Sequence, residues 1–217
     1  MKNSNMLYYK ASKSKLLRPI LSNVYLSLFV HWFFQSILAM DHTERVFKIV
    51  VDVVLTVILY LILNHWFSFI IALSLAWVLA HTVNFLSNGS IFALLKCFGN
   101  IRHEREEFEE YINSMRIRIK AEPELRWAAI YGSLSRGELN AVSDLDLRVI
   151  RYPGFINGLR ACFFIMGERT KANIKQFPLD ILLLDNPGML QRMRADETPF
   201  VIYDASLGLS KESNHNR

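Results

Sequence analysis

The chain has 217 residues, of which 52% are hydrophobic, and a formal net charge of +5. The charge excess comes entirely from residues 1–19, which carry five basic residues and no acidic one. A nucleic-acid-binding face spreads Lys and Arg over a folded domain, so this distribution argues against a nucleic-acid partner. A short basic tail beside apolar sequence instead favours an anionic membrane surface. Cys97 and Cys162 are isolated, which excludes a disulfide framework or a zinc motif.

Two long apolar segments in the first half of the chain predict a transmembrane helical hairpin. Residues 46–63 and 66–86 are almost free of charge, and a membrane span needs about 20 mainly apolar residues. Because only two residues separate the segments, they are expected to form a tight hairpin of two spans. Lys48 is expected to reach the membrane interface, and Asp52 is expected to pair with it one helical turn later.

An earlier apolar segment, residues 20–40, is interrupted by polar residues. It either spans the membrane or lies in the interface as an amphipathic helix. Basic residues flank the hairpin region at Arg45, Lys48, Lys96 and Arg102. If the positive flanks are cytoplasmic, the tail and the C-terminal domain lie on the cytoplasmic side of the cytoplasmic membrane, which favours two spans over three. The alternative is a soluble helical bundle that buries these helices by oligomerisation.

The C-terminal half predicts an α/β fold with a small mixed sheet. Residues 101–122 are charged, with apolar residues at helical spacing, and predict an amphipathic linker helix. The later elements are expected to be strands at 126–131, 144–150, 178–184 and 200–203, and helices at 156–170 and 187–194. The expected organisation is a basic tail (1–19), membrane-associated helices (20–100), the linker helix, an α/β domain (123–206) and a disordered tail (207–217).

The stretch that joins the first two predicted strands carries the chemistry. A Gly-Ser turn at Gly132 and Ser133 follows the first strand, and Asp144 and Asp146 come after ten intervening residues. Side chains alternate along a strand, so both carboxylates point to one face, and their repulsion favours a cation between them. Mg²⁺ is the usual cation where substrate phosphates supply further oxygen ligands. An isolated Asp-x-Asp more often lies on a solvated strand face; the turn at this spacing favours a metal and phosphate site.

Residues around the aspartates are candidates for binding phosphate. Gly132 allows the backbone to approach a ligand closely, and Ser133 offers a hydroxyl and backbone N–H groups. Gly137 keeps the following loop flexible, and Arg136 is a candidate phosphate partner. Arg148 shares the face of the aspartates by alternation. It binds phosphate, balances their charge, or is simply an exposed arginine at the strand end.

The Gly-Ser-Leu-Ser-Arg-Gly and Ser-Asp-Leu-Asp-Leu segments resemble the signature of the polymerase-beta-like nucleotidyltransferase superfamily, and are most similar to its minimal nucleotidyltransferases. The resemblance covers about residues 125–205 and implies a third carboxylate on a later strand. Asp180 fits, since an unpaired charge in an apolar run is costly. Asp185 lies among turn residues and is expected to cap a turn or helix. The resemblance implies that Asp144, Asp146 and Asp180 hold two Mg²⁺ or Mn²⁺ ions, and that Asp180 helps to activate the acceptor hydroxyl.

The expected reaction transfers a nucleoside monophosphate from an NTP to an acceptor and releases pyrophosphate. Membrane lipids are expected partners, and the anchor favours a lipid-linked acceptor, a glycan precursor or a protein; a homo-oligomer is left open. There are two alternatives. One is an antitoxin-like enzyme that adds AMP to a companion protein, although such relatives are usually small and soluble. The other is an inactive membrane scaffold that only binds nucleotide, which the presence of all three acids disfavours.

Overall fold

The computed structural model describes residues 23–96, 101–192 and 198–206 of the chain. The basic tail (1–19), the C-terminal tail (207–217) and Cys97 lie outside the described residues. The helices are α1 (Val24–Phe34), α2 (His42–Leu63), α3 (Phe69–Asn88), α4 (Ile91–Leu95), α5 (Arg105–Lys120) and α6 (Phe155–Ile174). The strands are β1 (Leu125–Tyr131), β2 (Leu145–Arg151), β3 (Leu179–Leu184) and β4 (Phe200–Asp204).

The sheet is mixed, as the sequence predicts. Its strand order is β3-β2-β1-β4, in which β1 is antiparallel to β2 and β4, and β2 is parallel to β3. The parallel pair requires a crossover connection, which α6 provides. The predicted strands agree with the observed ones to within a residue at each end. The predicted last helix is a 3-10 helix at Pro187–Arg192, and the rest of that prediction lies outside the described residues.

Alternation along the strands divides the sheet into two chemically different faces. On β2, Leu145, Leu147 and Val149 point into the hydrophobic core, which α5 and α6 cover. The intervening residues Asp146 and Arg148 point to the opposite face. Helix α5 is amphipathic, as expected, but its apolar side is fully part of this core. It is therefore a layer of the α/β structure and more than a linker.

Helices α2 and α3 form the predicted hairpin, and both are long and apolar enough to cross a membrane. Its turn differs from the prediction: residues 64–68 connect the helices, because Ser68 takes the extended N-cap position of α3. Small residues at every fourth position of α3 face α2 without any exposed surface, namely Ala72, Ala76 and Ala80. Small side chains permit close approach of two helices. The outer surface is apolar and open; Leu61 is 69% and Ile70 is 74% exposed.

Helix α1 lies against the hairpin and is too short to cross a bilayer by itself. Its 11 residues measure about 16 Å, against about 30 Å of hydrocarbon. The Trp32 indole N–H donates to Thr82 Oγ1 (3.2 Å), and the Gln35 side chain donates to the carbonyl of His81 (2.8 Å). These contacts join α1 and the residue that follows it to α3.

The predicted exposure of Lys48 at the membrane interface is wrong. Its ammonium donates to the carbonyls of Gln35 (2.8 Å) and Asn88 (2.9 Å), and the side chain is buried. Asp52, its expected partner, instead contacts His81 Nδ1 at 3.0 Å. Lys48 lies near the start of α2, where the carbonyls of Gln35 and Asn88 take the place of water as its hydrogen-bond partners.

Candidate functional site

The three predicted aspartates meet at the face of the sheet opposite the core. Asp146 on β2 lies directly across from Asp180 on β3, and Asp144 immediately precedes β2. Asp144 and Asp146 are buried, with 7% and 2% of their surfaces exposed. Asp180 is the most open, with 17% of its side chain exposed. The register of the parallel pair therefore brings together acids that are 34 residues apart in sequence.

Of the three aspartates, Asp146 is the most deeply buried. Neither of its carboxylate oxygens receives a hydrogen bond from the described residues. Burial and the neighbouring charge of Asp144 raise the pKa of Asp146 well above its usual range, and the Arg148 guanidinium only partly opposes this. A buried carboxylate without donors is costly, and a bound cation removes that cost.

The Gly-Ser turn packs directly on this carboxylate. Gly132 has a positive φ of 75°, and a Cβ atom at this position would collide with the Asp146 carboxylate. Both properties require glycine. The neighbouring Ser133 hydroxyl is buried and has no hydrogen-bond partner in the described part of the chain. The turn thus presents a hydroxyl without a partner among the described residues beside the Asp146 carboxylate, and its contact with phosphate stays a prediction.

Arg148 is a buried counter-charge, and the interpretation of it as an exposed strand-end arginine is wrong. Its guanidinium donates to the carbonyls of Leu147 (3.0 Å) and Asp180 (3.1 Å) and to the Asp180 carboxylate (3.3 Å). It also lies 3.6 Å from the Asp146 carboxylate. The observed geometry matches the charge-balancing alternative.

The loop residues Arg136 and Gly137 follow the turn. Arg136 Nε donates to the Glu138 carboxylate at 2.9 Å, so the side chain is held within the loop. Gly137 has a positive φ of 71°, and a Cβ atom there would meet nothing within 4 Å. The structure places both residues in the loop that follows Ser133, and their contact with phosphate remains a prediction.

Lys96 is a site residue that the sequence analysis missed. It follows α4, and its ammonium contacts the Asp144 carboxylate, with 8% of the lysine side chain exposed. From its position in the sequence, this lysine is predicted to be a positive flank of the hairpin. The available signal was a single base after the apolar Ile91–Leu95 helix, but nothing in the sequence indicates a partner 48 residues away.

Asp185 lies outside the site and performs the capping role expected of it. Its carboxylate accepts hydrogen bonds from the Thr43 backbone N–H (3.1 Å), at the start of α2, and from Arg151 Nε (3.0 Å). Burial alone would raise the pKa of Asp185, but the hydrogen bonds from Thr43 and Arg151 outweigh it and lower the pKa. The preference for Asp180 as the third acid agrees with this geometry.

The donor set fits a hard cation at Asp146 better than it fits a preformed two-ion site. Asp146 supplies two buried oxygens without donors, and oxygen ligands suit Mg²⁺ or Mn²⁺. Asp144 is paired with Lys96, and Asp180 is paired with Arg148. In the described ranges no three carboxylate, imidazole or thiol groups are arranged around one metal position. Binding at Asp144 requires that its lysine moves.

No protein-family model matches the sequence, and no curated protein matches it either. The resemblance to nucleotidyltransferases is therefore carried by the turn and aspartate motif alone.

Proposed function

We propose that this chain is a membrane-anchored, metal-dependent nucleotidyltransferase. It transfers a nucleoside monophosphate from an NTP to an acceptor at the membrane and releases pyrophosphate. The observation that supports this most directly is the Asp146 carboxylate, which is buried without hydrogen-bond donors from the described residues. It lies between Asp144 and Asp180 and packs against the Gly132 backbone. A buried carboxylate without hydrogen-bond donors is suited to bind a cation. The Ser133 hydroxyl beside it is suited to bind phosphate oxygens.

Each residue of the site has a distinct part in this proposal. Asp146, with Asp144 and Asp180, would hold Mg²⁺ or Mn²⁺, which supplies charge stabilisation to the transferred phosphoryl group. The Ser133 hydroxyl and the backbone N–H groups of the turn bind the triphosphate. Asp180 has the most exposed carboxylate of the three and accepts the proton of the acceptor hydroxyl. Arg148 keeps the carboxylate cluster from excess negative charge before substrate arrives.

Membrane anchoring is proposed from the outer surface of the hairpin. Large apolar side chains cover it continuously, whereas soluble monomers rarely expose wide apolar patches. The bilayer is the proposed occupant, with the sheet on the cytoplasmic side. Resistance of the full chain to carbonate extraction is the expected result, whereas release into the soluble fraction as an oligomer would favour the soluble bundle.

Sidedness is tested by labelling single cysteines in a background without native cysteines. A membrane-impermeant maleimide added to intact cells should label N64C at the hairpin turn. It should label R105C at the start of α5 only after the membrane is opened. The reverse pattern would place the sheet on the outer side.

The reaction is tested by pyrophosphate release. The purified full chain, incubated with each of the four NTPs, Mg²⁺ or Mn²⁺ and a membrane extract, is expected to release pyrophosphate, and D146N is expected to reduce the rate at least about a hundredfold. E109N, on the exposed side of α5, is the matched carboxylate control and should retain the full rate. Full metal-dependent turnover by D146N would refute the assignment.

The acceptor is identified by the destination of the label. With α-labelled ATP and membrane extract, label in the lipid fraction supports a lipid-linked or glycan-precursor acceptor. Label on a protein band supports the antitoxin-like alternative, in which AMP is added to a companion protein. A single incubation that is then separated into lipid and protein fractions distinguishes the two.

A nucleotide-binding scaffold is the second candidate, and two contacts favour it. Lys96 pairs with Asp144 and Arg148 pairs with Asp180, so two protein cations already lie against the carboxylates. A scaffold would bind NTP without turning it over. Saturable NTP binding without pyrophosphate release, with every acceptor fraction and both metals, is the result that would establish this candidate over the enzyme.

A further inference from the structure

The site contains a lysine that comes from the segment between the hairpin and α5. Lys96 follows α4, which packs against α6 and β3, and its ammonium contacts the Asp144 carboxylate. Both side chains are more than nine-tenths buried. Exposed ion pairs are commonly incidental and contribute little, but a buried pair requires that both charges be matched. The pair is therefore shielded from solvent as part of the site.

The two cations of the site are held in different ways. Arg148 donates to two backbone carbonyls, those of Leu147 and Asp180, as well as to a carboxylate, so its removal would leave several groups unsatisfied. The Lys96 ammonium has the Asp144 carboxylate as its only polar partner among the residues that the structure describes. A lysine is a compact charge on a flexible four-carbon stem and can exchange one partner for another. Arg148 is a fixed counter-charge, and Lys96 is a displaceable one.

A divalent cation at Asp146 competes directly with Lys96. Asp144 is the next carboxylate on the same strand face, and a hard cation draws it in as a further oxygen ligand. A divalent ion held by Asp146 and Asp144 would repel the ammonium, so the lysine would leave the carboxylate. Because Asp146, two residues from Asp144, packs on Gly132, the flexible lysine stem would leave the ammonium near the proposed triphosphate site. Phosphate oxygens are the strongest available partners for a displaced ammonium.

We propose that Lys96 is a substrate-positioning residue that exchanges partners during binding. It pairs with Asp144 while no divalent ion is bound, and it pairs with the phosphates of the nucleotide once the ion has displaced it. This inference rests on the proposed nucleotidyltransferase function and extends the site to a residue outside the region of family resemblance. It predicts opposite effects of Lys96 on metal binding and on nucleotide binding.

The test compares K96Q with the wild-type full chain in two binding measurements. The first is Mn²⁺ alone, followed by the electron paramagnetic resonance signal of free Mn²⁺. The second is a fluorescent ATP analogue in saturating Mn²⁺. K96Q is expected to bind Mn²⁺ about threefold or more tightly than wild type, because the competing charge is gone. It is expected to bind the nucleotide about tenfold more weakly, because a charged hydrogen bond to phosphate is lost.

Two further variants make the comparison specific. K171Q is the matched control, since Lys171 also pairs with a carboxylate, that of Glu168 (2.9 Å), but lies on α6 away from the site. It should leave both affinities unchanged. K96M also removes the charge but fills the buried position with an apolar side chain, so it is expected to repeat the two opposite shifts and replaces K96Q if circular dichroism shows that K96Q is unfolded.

The outcomes separate this inference from the proposed function. A joint fall of both affinities in K96Q would show that Lys96 only supports the fold, and unchanged affinities would show that it has no part in binding; either overturns the inference alone. Loss of Mn²⁺ binding in D146N, together with the opposite shifts in K96Q, supports both proposals. A wild-type chain that binds neither Mn²⁺ nor nucleotide overturns the proposed function and this inference with it.

Discussion

Glu44, in the first turn of α2, accepts a hydrogen bond from the backbone N–H of Leu183 on β3 (3.0 Å). Because β3 is an edge strand, this N–H has no neighbouring strand to pair with, and Glu44 takes that place. The next outward group on the strand, the Ile181 carbonyl, accepts a hydrogen bond from Arg169, which also pairs with Glu44. The first turn of α2 thus covers the free edge of the sheet. The hairpin and the sheet are joined by buried polar contacts as well as by the chain.

Loss of the Glu44 carboxylate is expected to be strongly destabilising. E44A leaves the Arg169 guanidinium buried without its charge partner, and breaking a buried pair on one side costs about 3–5 kcal/mol. Denaturant unfolding of the full chain in detergent measures this. E109A removes a carboxylate from the exposed Arg105–Glu109 pair and should cost less than about 1 kcal/mol. Equal losses in the free energy of unfolding would show that the Glu44 contact stabilises the fold no more than an exposed ion pair does.

The two glycines of the turn and loop allow a matched comparison. Gly132 and Gly137 have similar positive φ angles, but only at Gly132 would a Cβ atom collide with Asp146. We expect G137A to cost about 1–2 kcal/mol through backbone conformation alone. G132A pays the same conformational cost and also displaces the Asp146 carboxylate, so it should abolish Mn²⁺ binding. Titration of both variants with Mn²⁺ checks this, and intact Mn²⁺ binding in G132A would contradict the described packing.

Periodicity was sufficient to locate the strands and to predict which side chains of a strand share a face. The alternation Asp144, Asp146, Arg148 predicts one shared face, and β2 has it. Once the family resemblance implied a third acid, the cost of an unpaired charge in an apolar run favoured Asp180, and the parallel register brings it opposite Asp146. The strand positions and the shared face follow from local spacing alone, whereas the third acid required the family resemblance as well.

The partners of the lysines were not predictable in this way. Lys48 and Lys96 both border apolar segments, which is typical of membrane flanks, yet both are buried with polar partners. Their partners, the Asn88 carbonyl and the Asp144 carboxylate, lie 40 and 48 residues further along the chain. Local sequence carries no information on such contacts. They form only when α4 and the start of α2 take their places in the folded protein.

The capping contact of Asp185 is expected to make stability depend on acid pH. Its folded-state pKa is lowered from the ordinary value of 3.8, so its contribution is complete above that value and is lost as the pH falls through the lower folded-state pKa. D185A should therefore be about 1 kcal/mol less stable than wild type at pH 7, and the gap should narrow below about pH 4. Denaturant unfolding across this range measures the gap. A constant gap from pH 7 to pH 3 would exclude the ionised carboxylate as its source.

The contact between Asp52 and His81 is expected to couple the two long helices. His81 Nδ1 lies 3.0 Å from the Asp52 carboxylate, and its Nε2 lies 2.9 Å from the Trp32 carbonyl, so one imidazole joins α1, α2 and α3. A double-mutant cycle of D52A and H81A should give an interaction free energy of about 1 kcal/mol, the range of polar contacts between membrane helices. Unfolding in mixed micelles with increasing dodecyl sulfate provides the four values.

The matched cycle pairs D52A with H65A, because His65 lies in the exposed turn of the hairpin. The effects of distant substitutions add, so this second cycle should give an interaction free energy near zero. If the two cycles gave the same interaction free energy, the Asp52–His81 contact would not contribute to holding the helices together. The close packing of Ala72, Ala76 and Ala80 against α2 would then account for their association.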